Sequence, residues 1–462
     1  MGSECTPVER TSADEYFSYF QNVKTEMVKA ATKSDHPVKL FPSHLDHLHM
    51  DRYVPIIFAY RLKDNSDHFY NQFIHRLKES LSKVLVSFYP VAGALAKTSD
   101  PHHPRMFLCD DRGVPYTEAY KDEPMDHIVK NYEPVGPLSG FEPAGLFFNK
   151  QCQETTESGI PCFFVQVTRF KGGGVCVAVN WNHLLADMTG AMLITKAWAD
   201  TARKGETTIV PQLDRTILSP KNEEKSEPTA PPSFTAEEKA KLEKVLNTKF
   251  SLKVLHIKKE KIGKVKQTAL QDGFFVSTID CVCAHLWRCV SRNIAEAGMS
   301  DLTIFSTAVE GRAKMGGTLT PHYLGNVIVP AFVRNAPAAE IVNKPLSYAA
   351  SLIRKSIRDV TQESYWNIIN QMDLANPWKT AINRVDYQLG ITSWRHFGIY
   401  DLDFGEGKPV RFQVNLLPQN CRKGQCIILP SDVGPGSFDV LFFSTPHFIE
   451  RLWADPEFTS LS

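Results

Sequence analysis

Apolar residues along this chain recur in two periods, and the switches between them predict its elements. "RYVPIIFAYRL", Arg52 to Leu62, reads as a strand, and the following "DHFYNQFIHRLKESLSKVLVSF" places Phe73, Leu77, Leu81, Val84 and Phe88 at mostly helical spacing. Pro90 in "YPVAGAL" ends that helix, and "PRMFLCD" reads as another strand. Further on, "CFFVQVTRF", "KGGG" and "VCVAVNWN" form strand, glycine turn and strand, a strong hairpin pattern. In "TGAMLITKAWADTAR", Ala191, Met192, Thr195 and Trp198 then fall in helical register. The intervening "VNWNHLLADMTG" therefore lies on a strand-to-helix connection, a place where a rigid scaffold commonly presents functional groups.

From Pro211 to Ser233 the chain is rich in Pro, Glu, Lys and Ser with little to bury, and it reads as a crossover between domains. A helical start follows at "SFTAEEKAKLEKVL", then a strand edged with lysines, "FSLKVLHIKKEKI". "VSTIDCVCAHLWRCVSRNI" predicts an amphipathic helix with Ser277 or Thr278 as N-cap and Asp280 in its first turn. "LTIFSTAVEG", "GNVIVPAFV", "CIILPS" and "DVLFFSTP" are strand-like, with helices near Tyr348 to Arg358 and Pro446 to Trp453. No solenoid repeat is visible, so the class is mixed α/β. At 462 residues the chain exceeds one ordinary core, and we expect domains at 1–210 and 236–462 joined by a linker at 211–235.

Composition narrows the function classes. A formal charge of +1 gives no electrostatic case for nucleic acid or an anionic membrane. No apolar run approaches the ~20 residues of a membrane span, and no signal-peptide core is present, so a soluble, cytoplasmic protein is expected. The opening "MGSECT" fits the loose N-myristoylation pattern, which short sequences often match by chance. Ten cysteines without CxxC spacing read as reduced thiols.

The candidate chemistry centres on His183, at the strand exit, with Asp187 four residues on. A histidine whose unperturbed pKa is about 6.5 can accept a proton at neutral pH, and a positioned one contributes ~10²–10⁴ in rate. The same spacing also fits a polar histidine at a strand end with no catalytic role. Zinc is disfavoured, since the HExxH glutamate and second histidine are missing and the cysteines lack ligand spacing. "KGGG" lacks the end of a phosphate loop and is a hairpin turn. In "YDLDFGEGKP", the Asp403-Phe404-Gly405 triplet has no accompanying kinase motif, so the glycines flanking Glu406 read as a tight turn with Asp403 bonded to backbone or to a cation.

His183-x-x-x-Asp187 and Asp403-Phe404-Gly405-Glu406-Gly407, at this separation, resemble the HxxxDG and DFGWG signatures of the plant-type BAHD acyltransferases. "SFYPVAGAL", "VEGR", "YLGNVI" and "LGITSW" are similar, in order, to further family segments, the last to hydroxycinnamoyl-CoA:shikimate or quinate hydroxycinnamoyltransferases. The likeness extends from about Leu40 to Trp453. It implies two pseudo-symmetric, chloramphenicol-acetyltransferase-like domains of mixed sheet flanked by helices, with the active-site channel between them. It also implies acyl-CoA as co-substrate, no permanent cofactor, no metal, a small-molecule acceptor and a monomer.

Under the resemblance, His183 is the general base for direct attack of an acceptor hydroxyl on the thioester, without an acyl-enzyme. Trp394 is the candidate oxyanion donor and Thr392 touches the acceptor. Asp187 is structural and pairs with Arg312, and Asp403, Gly405 and Gly407 form a structural turn. Lys379 stands where related enzymes use an arginine for an acidic acceptor, with Arg384 nearby; a lysine keeps the charge but loses the bidentate fork. The helix start at Ser277 and Thr278 is a candidate seat for a phosphate of coenzyme A, and equally a plain N-cap. Other acyl-CoAs, an amine acceptor, and a catalytically silent homologue are the competing expectations. The sequence departs from the family pattern where Met188 and Thr189 precede Gly190, where Glu406 replaces a tryptophan, and where Gly398 replaces a proline.

Overall fold

The structure is a computed structural model and describes residues 21–33, 35–49, 52–100, 102–126, 158–220, 250–270, 275–372, 374, 388–414 and 423–462. The strands are β1 Gln21–Val28, β2 Lys39–Leu40, β3 Tyr53–Arg61, β4 Ala94–Lys97, β5 Arg105–Leu108, β6 Val114–Pro124, β7 Ile160–Pro161, β8 Phe163–Lys171, β9 Gly174–Asn182, β10 Ser251–Ile257, β11 Leu302–Glu310, β12 Ile328–Pro337, β13 Leu389–Ser393, β14 Arg411–Val414, β15 Gln425–Pro430 and β16 Phe438–Ser444. The helices used below are α1 Asp67–Ser87, α2 Met188–Lys204, α3 Lys259–Ala269, α4 Thr278–Glu296, α5 Ala338–Asn343 and α6 Leu346–Asp359.

Two six-stranded sheets carry the fold, ordered β1-β6-β8-β9-β3-β14 and β10-β16-β15-β13-β11-β12. Both are mixed: β6 and β8 run parallel in the first, as β13 does to β11 and β15 in the second, among antiparallel neighbours. The KGGG hairpin joins β8 to β9 as its sequence predicts. β3 and β9 are buried at nearly every position, as central strands covered on both faces must be.

On the first sheet α1 buries Phe73, Leu77, Leu81 and Val84, the stripe its periodicity predicts. It meets α2 through Trp198, whose indole N–H donates to Leu77 O at 2.9 Å. On the second sheet α4 packs with α5 and α6 and fixes Trp287 by an indole bond to Thr303 Oγ1 at 3.0 Å. The sheets are not separate bodies. β14 comes from the C-terminal half yet pairs antiparallel with β3, and one apolar core runs from Trp181 and Trp198 to Trp394, Leu429 and Phe443.

One element differs from expectation. The lysine-edged run "FSLKVLHIKKEKI" is a strand only to Ile257, after which α3 begins, because Ile262, Val265 and Ala269 give it a buried face of helical spacing. The helical start "SFTAEEKAKLEKVL" and the segment "MGSECT" lie outside the described residues.

Candidate active site

His183 is held by the loop that ends β9. Asn182 turns the chain with its side-chain oxygen accepting from Leu184 N at 2.9 Å, and the Trp181 indole N–H donates to Ala186 O at 3.0 Å. The His183 N–H donates to the carbonyl of Arg52, just before β3, at 2.7 Å. Asp187 then caps α2, accepting from Gly190 N at 2.9 Å. A Cβ on Gly190 would lie 2.7 Å from Ala186 Cβ and 3.3 Å from Leu324 Cδ1. The displaced glycine therefore has a packing reason: it lets the first turn of α2 approach the C-terminal half.

That approach is locked by charge. Arg312 makes a bidentate pair with Asp187, at 2.9 and 3.0 Å, and also donates to Tyr323 O, Gly325 O and Glu310. Both partners are buried, at 4% and 1% exposure, and Val327 N donates to the same carboxylate. Burial alone would lower the Arg312 pKa; Asp187 and Glu310 outweigh it and hold the guanidinium well above its ordinary value. Such a pair joins the halves firmly, because removing one partner strands a buried charge.

The other side of His183 is built by residues to which the sequence alone assigns no role. His183 Nδ1 lies 3.1 Å from Asn326 Oδ1. The Asn326 amide nitrogen donates to Asp46 Oδ1 and to the His183 carbonyl, both at 2.8 Å, which identifies the atom facing the imidazole as the amide oxygen. His183 Nδ1 is therefore the N–H, and Nε2 keeps the basic lone pair. Asp46 is in turn held by the backbone of Ser43 and Asn326 and by Arg215, which donates to Leu185 O at 2.6 Å as well. Arg215, at 2% exposure, falls within a segment whose composition offers little to bury. Finally, the His49 ring lies flat against His183, centroids 4.4 Å apart and planes 5° from parallel.

Electrostatics favour a neutral imidazole at His183. Burial, seconded by the Arg52 guanidinium, pushes the His183 pKa down to about 4, against the opposing pull of Asp187 and the bond to Asn326. At neutral pH the imidazole is uncharged and able to take a proton.

The remaining candidates lie elsewhere. Trp394 follows β13 with its backbone N–H donating to Ile428 O at 2.8 Å and its ring in the core that also contains Leu184, Leu185 and Met188 of the His183 loop. Thr392 is half-buried on β13, opposite Ile427. Asp403 Oδ1 accepts from Gly405 N at 2.7 Å and Gly407 N at 2.9 Å, closing a turn in which both glycines have positive φ, +102° and +94°. Its second oxygen is 3.9 Å from Arg203 near the C-terminus of α2. Sixteen residues of helix separate Arg203 from Asp187, about 24 Å at helical rise, so this turn braces α2 and cannot reach the reacting atoms. In place of the tryptophan, Glu406 is buried and ion-paired to Arg76 of α1.

Ser277 caps α4 and forms a capping box with Asp280, which is also paired with Arg354, while Thr278 opens the helix. Lys379 and Arg384 lie outside the described residues. Away from His183, the side chains of His285, Cys289 and Glu457 converge within 4.8 Å of one another. Arg292 and Arg288 hold the Glu457 carboxylate, and burial raises the Cys289 thiol pKa, so the donor set suits an internal ion pair better than a metal.

The family model described as "Transferase family" matches residues 20–457. The chain belongs to that family, the BAHD acyltransferases. Among curated relatives, shikimate O-hydroxycinnamoyltransferase of Nicotiana tabacum is 29% identical over 433 residues, covering 90% of this chain and 94% of its own. Omega-hydroxypalmitate O-feruloyl transferase of Arabidopsis thaliana is 31% identical over 352 residues, 74% of each chain. Among solved structures, vinorine synthase superposes with a TM-score of 0.71 at 23% identity, over 96% of this chain and 98% of that one, a likeness of fold. F. graminearum TRI101, solved with coenzyme A and T-2 mycotoxin, gives 0.67 at 20% identity, over 91% and 98%. The chain is thus an acyl-CoA-dependent acyltransferase of mixed sheets flanked by helices, and no helix among the described residues is long and apolar enough to cross a membrane.

Proposed function

We propose that this BAHD acyltransferase moves a hydroxycinnamoyl group from coenzyme A to a hydroxyl of a small acceptor such as shikimate or quinate, with His183 as the general base. The carrying observation is the Nδ1 bond to Asn326, which leaves Nε2 of a neutral imidazole as the proton acceptor. Nε2 takes the hydroxyl proton as the oxygen attacks the thioester carbonyl. The tetrahedral intermediate then collapses, the C–S bond breaks, and the imidazolium returns the proton to the departing sulfur, so no covalent enzyme intermediate forms. Trp394 is assigned to the developing oxyanion and Thr392 to the acceptor. Lys379 and Arg384 are assigned to an acceptor carboxylate, and the α4 start at Ser277 and Thr278 to a phosphate of coenzyme A.

The division into acyltransferase domains at 1–210 and 236–462, the cytoplasmic location and the monomeric state belong to the same proposal. The burial of Cys109, Cys162, Cys176, Cys281, Cys283, Cys289 and Cys426 as free thiols suits a reducing compartment.

A second reading, acyl transfer to an amine, rests on a relative of similar identity: agmatine hydroxycinnamoyltransferase 1 of Oryza sativa subsp. japonica is 28% identical. The test incubates the protein with p-coumaroyl-CoA and pooled shikimate, quinate, a phenyllactate and spermidine, and reads products by mass spectrometry beside His183→Ala. A new ester absent from the variant supports the proposal; an amide moves the acceptor to an amine. An intact donor with every acceptor shifts the search to other acyl-CoAs first and then to a catalytically silent homologue.

A further inference from the structure

We infer that His49 is a positioning residue for His183, its flat imidazole face fixing the plane of the base and stabilising the imidazolium formed during transfer. The inference rests on the reading of His183 as the base.

The geometry is specific. The two rings are parallel within 5° at 4.4 Å, a face-to-face contact, while the N–H edge of His183 is held separately by Asn326 at 3.1 Å. A ring held on one edge and one face cannot swing without breaking one of these contacts, so Nε2 is presented in a single orientation. The backbone ties the two constraints together. His49 follows the short 3-10 turn Asp46–Leu48 and donates its N–H to Asp46 O at 3.0 Å, and the Asp46 carboxylate is what orients Asn326. One turn of chain therefore sets both the face and the edge of the base.

The stack also bears on charge. When His183 takes the acceptor proton, it becomes a cation lying over an aromatic face, an attractive arrangement if that face is neutral. The same ring covers one side of His183 from solvent, the principal influence keeping the base unprotonated. The other groups acting on His183 are Arg52 before β3, Asp187 at the cap of α2 and Asn326 from the C-terminal half, with Asp46 and Arg215 behind Asn326 and Arg312 behind Asp187. Among these described residues, His49 is the one that acts through a ring face.

The test compares His49→Phe, which keeps a π face, with His49→Leu, which fills similar volume without one, in the full chain with p-coumaroyl-CoA and whichever acceptor the product screen identifies. In His49→Leu, kcat is expected to fall on the order of 10²-fold with KM for the acyl-CoA unchanged. Because leucine keeps the burial and removes the face that stabilises the imidazolium, the acidic limb of its kcat/KM profile should move to lower pH. His49→Phe should keep the wild-type limb and most of kcat. Equal kcat and superimposable pH profiles for Phe, Leu and wild type overturn the inference, as does a loss confined to KM. Full turnover in His183→Ala overturns the base assignment itself, so the two failures are told apart. Should His49→Leu not fold, judged by circular dichroism, His49→Phe alone decides: a tenfold or greater loss of kcat in that variant sinks the π-face argument.

Discussion

Asn326 is the residue on which the chemistry proposed for His183 turns, because its amide oxygen faces Nδ1 and so sets which imidazole nitrogen carries the proton. Truncation in Asn326→Ala frees the tautomer and leaves the His183 carbonyl and Asp46 each short of a donor. We expect kcat to fall on the order of 10²-fold with KM for the acyl-CoA little changed, and stability to drop by about 1–3 kcal/mol from the unsatisfied buried groups. Steady-state kinetics with a urea melt read both. A second residue-scale prediction concerns pH. With the folded pKa of His183 near 4, the acidic limb of kcat/KM should lie well below pH 6.5, and a limb at 6.5 or above contradicts the burial argument. Stability should respond to acid before turnover does. His183, His44 and His47 are all pushed down to about 4, mainly by burial, so the unfolded chain binds more protons between pH 6.5 and 4. The urea midpoint should fall as pH is lowered through that window while turnover persists. His183 stood out in the sequence as the candidate base, and the pairing of Asp187 with Arg312 was legible through the family resemblance. The role of Asn326 was not, although "YLGNVI" marked its neighbourhood, because a hydrogen bond across 143 residues leaves no local periodicity.

At the scale of elements, the turn at Asp403 and the helix α1 form one structural joint. A buried Glu406 carboxylate demands a partner, and Arg76, a helical turn beyond Phe73 on α1, supplies it. The pair is asymmetric, the Arg76 side chain being 36% exposed and that of Glu406 2%. Arg76→Ala strands a buried carboxylate and should cost about 3 kcal/mol, whereas Glu406→Gln leaves a guanidinium that water can solvate and should cost nearer 1 kcal/mol. In the double variant the costs should not add. Because the turn braces α2 about 24 Å from Asp187, per-molecule kcat of the folded fraction should be nearly unchanged in all three. Chemical melts and active-site-normalised turnover check this; a tenfold loss of kcat would place the turn in the catalytic machinery. Element identity was readable wherever one period persisted, as in α1, β8, β9 and α6. It failed at Lys258, where the lysines of α3 looked like the polar edge of a strand because the buried positions Ile262, Val265 and Ala269 are too few to announce a helix.

At the scale of the whole molecule, the site is a property of two halves that cannot be separated without dissolving it. His183, Asp187, Asp46 and His49 come from the first half, and Asn326, Arg312 and the carbonyls of Tyr323 and Gly325 from the second, while Arg215 enters from the stretch between them. β14 crosses back to pair with β3, so the first sheet is itself incomplete without the C-terminal half. Composition misled at Arg215 because a Pro- and Lys-rich stretch reads as solvated even where one arginine in it is wholly buried against Asp46; only the three-dimensional neighbour distinguishes the two. The consequence is testable by cutting the chain. Residues 1–220 and 250–462 produced separately should be insoluble or inactive, since each exposes its side of the shared apolar core, leaves the β3–β14 pairing unmade and removes one partner of the Asp187–Arg312 pair. Produced together in one cell, they should co-purify at equal stoichiometry and recover acyl transfer, because the pairing of β3 with β14 and the shared core hold them without a covalent link. Arg215→Ala in the co-produced pair should abolish that recovery by freeing Asp46 and the carbonyls of the His183 loop. Activity from the first piece alone would mean that His183 needs neither Asn326 nor Arg312, and its assignment as a base oriented from the C-terminal half would fall.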